Sequence, residues 1–130
     1  MNVPKNLFYS KDHEWIKIDG NKATIGITDF AQNQLGDVVF VETPAPQTAL
    51  KAGDSIGSIE SVKAVSDVYA PVSGMVADVN MELESAPQTV NEDPYGKGWI
   101  CVLEMTDAAN ETKNLLDAAA YEKLLTEEAK

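Results

Sequence analysis

The sequence predicts a mainly β fold: a compact sandwich or barrel of short strands, with one short internal helix and further helices at the C-terminus. Three observations predict it. β-Rich segments recur through most of the chain, turn residues separate them closely, and helical signals occur only beside Thr28 and after Asn110. The 130 residues fit one domain, 1–130, and folding at that length hides roughly two thirds of the unfolded surface.

Trp15 to Ile18 and Ala23 to Ile27 are rich in β-branched and aromatic residues, and Asp19-Gly20-Asn21 between them is a strong turn signal; the pair reads as a hairpin. Thr28 or Asp29 caps a short helix through Phe30, Ala31 and Leu35, which Gly36 ends in a left-handed conformation. Asp37 to Glu42 reads as a buried strand closed by Pro44 and Pro46, which cannot donate ladder hydrogen bonds. Leu50 to Asp54 is a turn. Ser55 to Ser61 is a strand interrupted by Gly57, Val65 to Ala70 runs extended up to Pro71, and Val72 to Val79 resumes a strand across Gly74. Asn80 to Gly98, with Pro87, Asn91, Pro94 and Gly96, reads as an ordered loop before a buried strand at Trp99 to Leu103. Asn110 to Leu116 forms one helical piece. Asp117 caps a second, in which Tyr121, Leu124 and Leu125 recur at helical spacing and form a stripe that packs on the β core.

Twenty-one acidic residues face ten lysines and no arginine, for a formal net charge of −11. Such a surface repels nucleic acid and anionic membranes, whereas basic protein partners suit it; acidity also serves solubility. No apolar run approaches the ~20 residues needed to cross a bilayer. Met1 to Leu7 has neither the apolar core of a secretion signal nor an arginine-rich transit pattern, so a cytoplasmic location is expected. Cys101 is the only cysteine, which excludes an internal disulfide and suggests a core thiol. His13-Glu14-Trp15-Ile16-Lys17 begins like a zinc-protease signature, but lysine stands where the second histidine ligand is required.

The remaining chemistry centres on Lys63. It stands alone among small and apolar neighbours in Ser61-Val62-Lys63-Ala64-Val65, between two predicted strands, at what reads as a hairpin tip. A Schiff-base lysine needs a depressed pKa, whereas Glu60 and Asp67 flank this one with negative charge. A phosphate cradle needs glycines leading into a helix, and this segment has none. Covalent attachment of a group is the special role that survives, beside the ordinary one of a solvated surface charge. From the residues alone, Glu14 is a solvated carboxylate at a strand end.

Glu60-Ser61-Val62-Lys63-Ala64-Val65-Ser66-Asp67, followed by Ala70-Pro71-Val72-Ser73-Gly74, resembles the lipoyl-attachment segment of the glycine cleavage system H proteins. His13-Glu14-Trp15, Ala23 to Asp29, Leu35 to Glu42 and Asn91 to Trp99 resemble further stretches of that family in the same order. The likeness runs from about Tyr9 to the C-terminal helix. Biotin carriers usually place methionines beside the lysine, and the lipoyl domains of 2-oxo acid dehydrogenases place aspartate before it; Val62 and Ala64 follow neither pattern.

This resemblance implies a barrel-sandwich hybrid of the lipoyl- and biotinyl-carrier type, and a carrier rather than an enzyme. It implies lipoate amide-linked to Lys63, with Glu60, Ser61, Val62 and Ala64 as attachment-motif context. The implied partners are a lipoate-attaching enzyme, the pyridoxal-phosphate glycine decarboxylase, the tetrahydrofolate-dependent aminomethyltransferase and dihydrolipoamide dehydrogenase. In the family the loaded arm folds into a cleft, where a carboxylate would pair with its amine. Glu14 matches that role first, then Asp67 and Asp12. A lipoyl carrier for lipoate relay or sulfur oxidation has the same motif, and an enzyme with a nucleophilic Lys63 is the reading from another class. Pro46-Gln47-Thr48-Ala49 departs from the family in lacking a glycine.

Overall fold

The computed structural model describes residues 2–128. The chain runs β1 (Phe8–Tyr9), β2 (Glu14–Asp19), β3 (Lys22–Ile27), helix α1 (Asp29–Leu35), β4 (Val38–Glu42), β5 (Ala49–Leu50), β6 (Ser55–Ser61), β7 (Val65–Tyr69) and β8 (Gly74–Val79). Two one-turn helices, α2 (Glu82–Ser85) and α3 (Thr89–Glu92), precede β9 (Cys101–Glu104). Helix α4 (Ala108–Glu111), a 3-10 turn at Thr112–Asn114 and α5 (Ala118–Glu128) follow.

The strands form two antiparallel sheets, ordered β1-β2-β3-β9-β8-β5 and β4-β6-β7. Ile16 and Ile25 from the first share one buried cluster with Val41, Ile59 and Val68 from the second. This is the expected sandwich of mainly β structure, and it does not close into a strict barrel. Leu7, Tyr9, Trp15 and Tyr121 form a second buried cluster, which Leu124 and Leu125 partly cover. The predicted stripe on α5 therefore packs as expected, with the Tyr121 ring stacked on Tyr9 at a centroid distance of 4.6 Å.

Local signals account for most elements. Asp19 pairs with Lys22 across the first hairpin, and Gly20 takes the left-handed φ of 63° that the tight turn requires. Thr28 caps α1 by accepting the Ala31 N–H at 3.2 Å. Gly36 ends it with φ 77° and returns its N–H to Gln32. The Asp117 carboxylate accepts the Ala120 N–H at 2.8 Å at the start of α5.

Four expectations need correction. In β4 only Val38 and Val41 are buried, while Val39 and Phe40 remain about half exposed; the register shifts between Val38 and Phe40, which breaks the alternation. The expected loop at Asn80 to Gly98 contains α2 and α3, each anchored by one buried residue, Leu83 and Val90. A single turn has no periodicity to read. The strand expected from Trp99 begins at Cys101, and the piece expected at Asn110 to Leu116 divides into α4 and a 3-10 turn. β1 and β5 each span two residues, too short to show a pattern. In the loop without glycine, Gln47 itself adopts φ 66°.

Gly57 occupies a register shift in β6 at φ 155°, where an added Cβ would collide with the Glu42 carbonyl oxygen of β4. Gly57→Ala should therefore lower the unfolding free energy by about 2 kcal/mol or more, through strain and a displaced strand. Urea denaturation at neutral pH would measure it, and an unchanged midpoint would contradict this account.

Candidate functional site

Lys63 lies at the tip of the β6–β7 hairpin, and the buried Ser61 builds that tip. The Ser61 hydroxyl accepts the N–H groups of Lys63 and Ala64 at 3.3 and 3.1 Å, while its own N–H reaches the Ala64 carbonyl at 2.8 Å. A side-chain oxygen thus does the work a backbone carbonyl would do in an ordinary turn. The Val62 N–H donates to the Asp37 carbonyl at 3.0 Å, tying the tip to the segment after α1. Lys63 extends from this braced backbone into solvent. Its Cε comes within 3.4 Å of where a Cβ on Gly36 would lie, so the lysine stem passes the end of α1 at ordinary contact distance.

Beside the hairpin is a cleft of about 350 Å³. Phe30, Ala31, Gln34 and Leu35 of α1 line one wall; Ile59, Ala64, Ser66, Asp67 and Val68 of the hairpin line the other; Asp12, His13 and Glu14 close the end. The lining is largely apolar. Asp12 and Asp67 are exposed, but Glu14 is only 2% exposed, which corrects the expectation of a solvated strand-end carboxylate. β2 starts at Glu14 and points it inward, where both oxygens find partners. Ser10 Oγ donates to Oε1, and the Tyr69 N–H donates to Oε2 at 3.2 Å. Because Tyr69 belongs to β7, this carboxylate also bridges the two sheets.

Burial raises the Glu14 pKa to about 7; the Ser10 and Tyr69 hydrogen bonds oppose that rise and the Asp12 charge adds to it. Near neutral pH the group is poised between its two forms, and an arriving cation would draw it to the carboxylate. Cys101 is buried, and desolvation pushes its thiol up to about 12, as befits an unreactive core residue.

The structure thus gathers three of the predicted residues, Glu14, Asp12 and Asp67, in one cleft with Ala64. Lys63 and Val62 sit outside at its rim. Glu60 faces away, paired across the sheet with Phe40 and Val65. Sequence reasoning missed Ser10, His13, Phe30 and Gln34. The positions 30, 31, 34 and 35 share one face of a helix, a spacing that signals a wall once the helix is recognised. Nothing in the sequence marks Ser10, whose bond to Glu14 depends on the path of a loop. His13 adopts φ 66°, contacts the Tyr121 hydroxyl through Nδ1 at 2.8 Å and reaches Glu128 through Nε2 at 2.9 Å.

The family described as Glycine cleavage H-protein matches residues 7–128. The chain belongs to this family. A glycine cleavage system H protein of Carboxydothermus hydrogenoformans is 60% identical over 126 residues, covering 97% of this chain and 96% of the relative. The namesake from Symbiobacterium thermophilum is 56% identical, with 97% and 98% covered. Among solved structures, a glycine cleavage system H protein from Mycobacterium marinum aligns with a TM-score of 0.87 at 38% identity, covering 95% of this chain and 99% of that one. Membership makes the chain a carrier component of the glycine cleavage system and not an enzyme. No helix among the described residues is long and apolar enough to cross a membrane.

Glu14 has a testable thermodynamic signature. Its pKa rises from the ordinary 4.5 to about 7 on folding, so the folded chain binds this proton more tightly than the unfolded one. Its contribution to stability is therefore greatest below pH 4.5 and is lost as pH rises through about 7. Urea unfolding across that range should show wild type losing stability relative to Glu14→Gln as pH increases. Parallel stability curves for the two proteins would contradict the assignment.

Proposed function

We propose that the chain is a lipoyl carrier, with lipoate amide-linked to Lys63, that shuttles an aminomethyl group within the glycine cleavage system. One observation carries the reading: a solvent-exposed lysine on a braced hairpin stands at the rim of an apolar cleft with a buried carboxylate at its end. When bound, lipoate would supply a dithiolane that takes the aminomethyl group. In this reading the carrier docks in turn with glycine decarboxylase, the tetrahydrofolate-dependent aminomethyltransferase and dihydrolipoamide dehydrogenase. A lipoate-attaching enzyme is the fourth partner. In this reading the chain works as one domain in the cytoplasm.

The residues present fit such a group. Amide formation removes the lysine charge, and the hairpin provides a fixed base from which a flexible tether searches a limited volume. Ile27, Phe30, Ala31, Leu35, Ile59 and Val68 offer apolar surface to an aliphatic arm. Glu14 pairs with the cationic amine of the cargo in a site largely shielded from water, where a charge-assisted contact is stronger than at the surface. Asp67 and Asp12 add negative potential along the cleft. Ser61 holds the lysine backbone, and Val62, Ala64 and Glu60 surround it for recognition by the attaching enzyme.

Two measurements test the reading. Intact mass of protein from lipoylation-competent cells should show one lipoyl adduct on wild type and none on Lys63→Arg; an unmodified wild-type chain would overturn the attachment site. Glu14→Ala should still accept lipoate, yet its aminomethyl-loaded form should decay about tenfold faster near neutral pH, as expected for loss of one charged hydrogen bond. Unchanged decay would remove Glu14 from this role.

A further inference from the structure

Glu14 cannot aim itself, because a glutamate has several rotatable bonds and the strand begins only at its own residue. The loop before it, Ser10 to His13, is closed at both ends. Ser10 N–H donates to the Glu14 carbonyl at 3.0 Å, and His13 N–H donates to the Ser10 carbonyl at 3.2 Å. Within that loop the Ser10 hydroxyl accepts the N–H groups of Asp12 and Glu14 at 3.3 and 3.2 Å. A hydroxyl has two lone pairs and one proton. With both lone pairs taken by backbone donors, its proton is directed onto Glu14 Oε1, the contact that the structure shows.

We propose that Ser10 is a positioning residue for the cleft, fixing the orientation of the Glu14 carboxylate and favouring its charged form. The idea rests on the reading of Glu14 as the partner of a cationic amine, and it adds the residue that prepares Glu14 for that task. Each Glu14 oxygen accepts one protein hydrogen bond, from Ser10 or from Tyr69. A carboxylate has about four acceptor positions, so capacity remains for an amine. The Ser10 contact is made by the chain itself, so the carboxylate meets the amine already oriented.

The other ionisable groups around Glu14 do not duplicate this action. Asp12 in the same loop and Asp67 on β7 line the cleft with it, and the Asp12 charge disfavours the carboxylate. His13 points its ring nitrogens to Tyr121 and Glu128 on α5. Tyr121 itself is shared between His13 and Thr28. Among the described residues, the donors that reach Glu14 are the Ser10 hydroxyl and the Tyr69 amide, and Ser10 is the one a side-chain substitution removes. The pKa of Glu14 moves in the matching direction, since the Ser10 hydrogen bond lowers it against the larger effect of burial.

Carbon-detected NMR on the full, unmodified chain tests the proposal without any bound arm. Ser10→Ala should move the Glu14 carboxyl titration upward by about one pH unit, an about tenfold change in its dissociation constant, and Ser10→Thr should restore it. An unmoved titration in a folded Ser10→Ala variant, or failure of threonine to restore it, would overturn the proposal. On the aminomethyl-loaded carrier, Ser10→Ala should accelerate decay several-fold in the wild-type background and have no effect in a Glu14→Gln background. Equal acceleration in both backgrounds would also overturn it, because Ser10 would then act without Glu14. If the titration moves as expected while Glu14→Gln alone leaves decay unchanged, Ser10 stands as the positioning residue and the protective role of Glu14 is what fails.

Discussion

The side-chain amide of Asn91 is the tie on which the placement of the lysine depends. Its Oδ1 accepts the Val38 N–H at 2.8 Å, and its Nδ2 donates to the Gly36 carbonyl at 2.8 Å and to Gln32 at 3.0 Å. One residue on α3 thereby holds both the end of α1 and the start of β4. The segment between them contains Asp37, whose carbonyl receives the Val62 N–H of the hairpin tip. Asn91 thus holds the residues on either side of Asp37, and the Asp37 carbonyl takes the amide of the residue preceding Lys63. Without the tie, the carbonyl of a C-terminal helix residue and a strand amide would lose their partners together.

A carrier with the proposed tether on Lys63 has two mechanical requirements that pull apart. The base of the tether has to be rigid so that its reach is defined, and the tether has to move. The hairpin satisfies the first through Ser61, which replaces a backbone turn bond with side-chain contacts to Lys63 and Ala64. The solvent-exposed lysine side chain satisfies the second. Chemistry imposes a different conflict at Glu14. Burial favours its neutral acid, whereas the proposed pairing with an amine needs the anion. Two hydrogen bonds, one from the preceding loop and one from β7, oppose that rise and leave its pKa at about 7.

The readable parts of the fold were those governed by neighbours in sequence. The Asp19-Gly20-Asn21 turn, the Thr28 cap, the Gly36 stop and the Asp117 cap each depend on a few adjacent residues. Harder elements depended on distant ones. Leu83 and Val90 hold one-turn helices only because a core waits beneath them, and Phe40 is exposed only because β4 shifts register against β6. The site divides similarly. Lys63 announced itself by its isolation between two strands, and Glu14, Asp67 and Asp12 entered through family likeness. Ser10 gave no signal, since its hydroxyl meets Glu14 through a closed loop whose path includes a left-handed His13.

By itself, then, the sequence determined a mainly β chain, its principal turns and caps, a strongly acidic composition, and one presented lysine. These follow from backbone preferences and composition, which act over a few residues or over the chain as a sum. Tertiary structure alone decided that the lysine stands beside an apolar cleft and that Glu14 is buried at the cleft's end instead of solvated. It also decided which groups hold the carboxylate. Desolvation and hydrogen bonding are properties of where a group lies, and Glu14 acquires its full set of partners only when the Ser10 loop closes and β7 is packed across from β2.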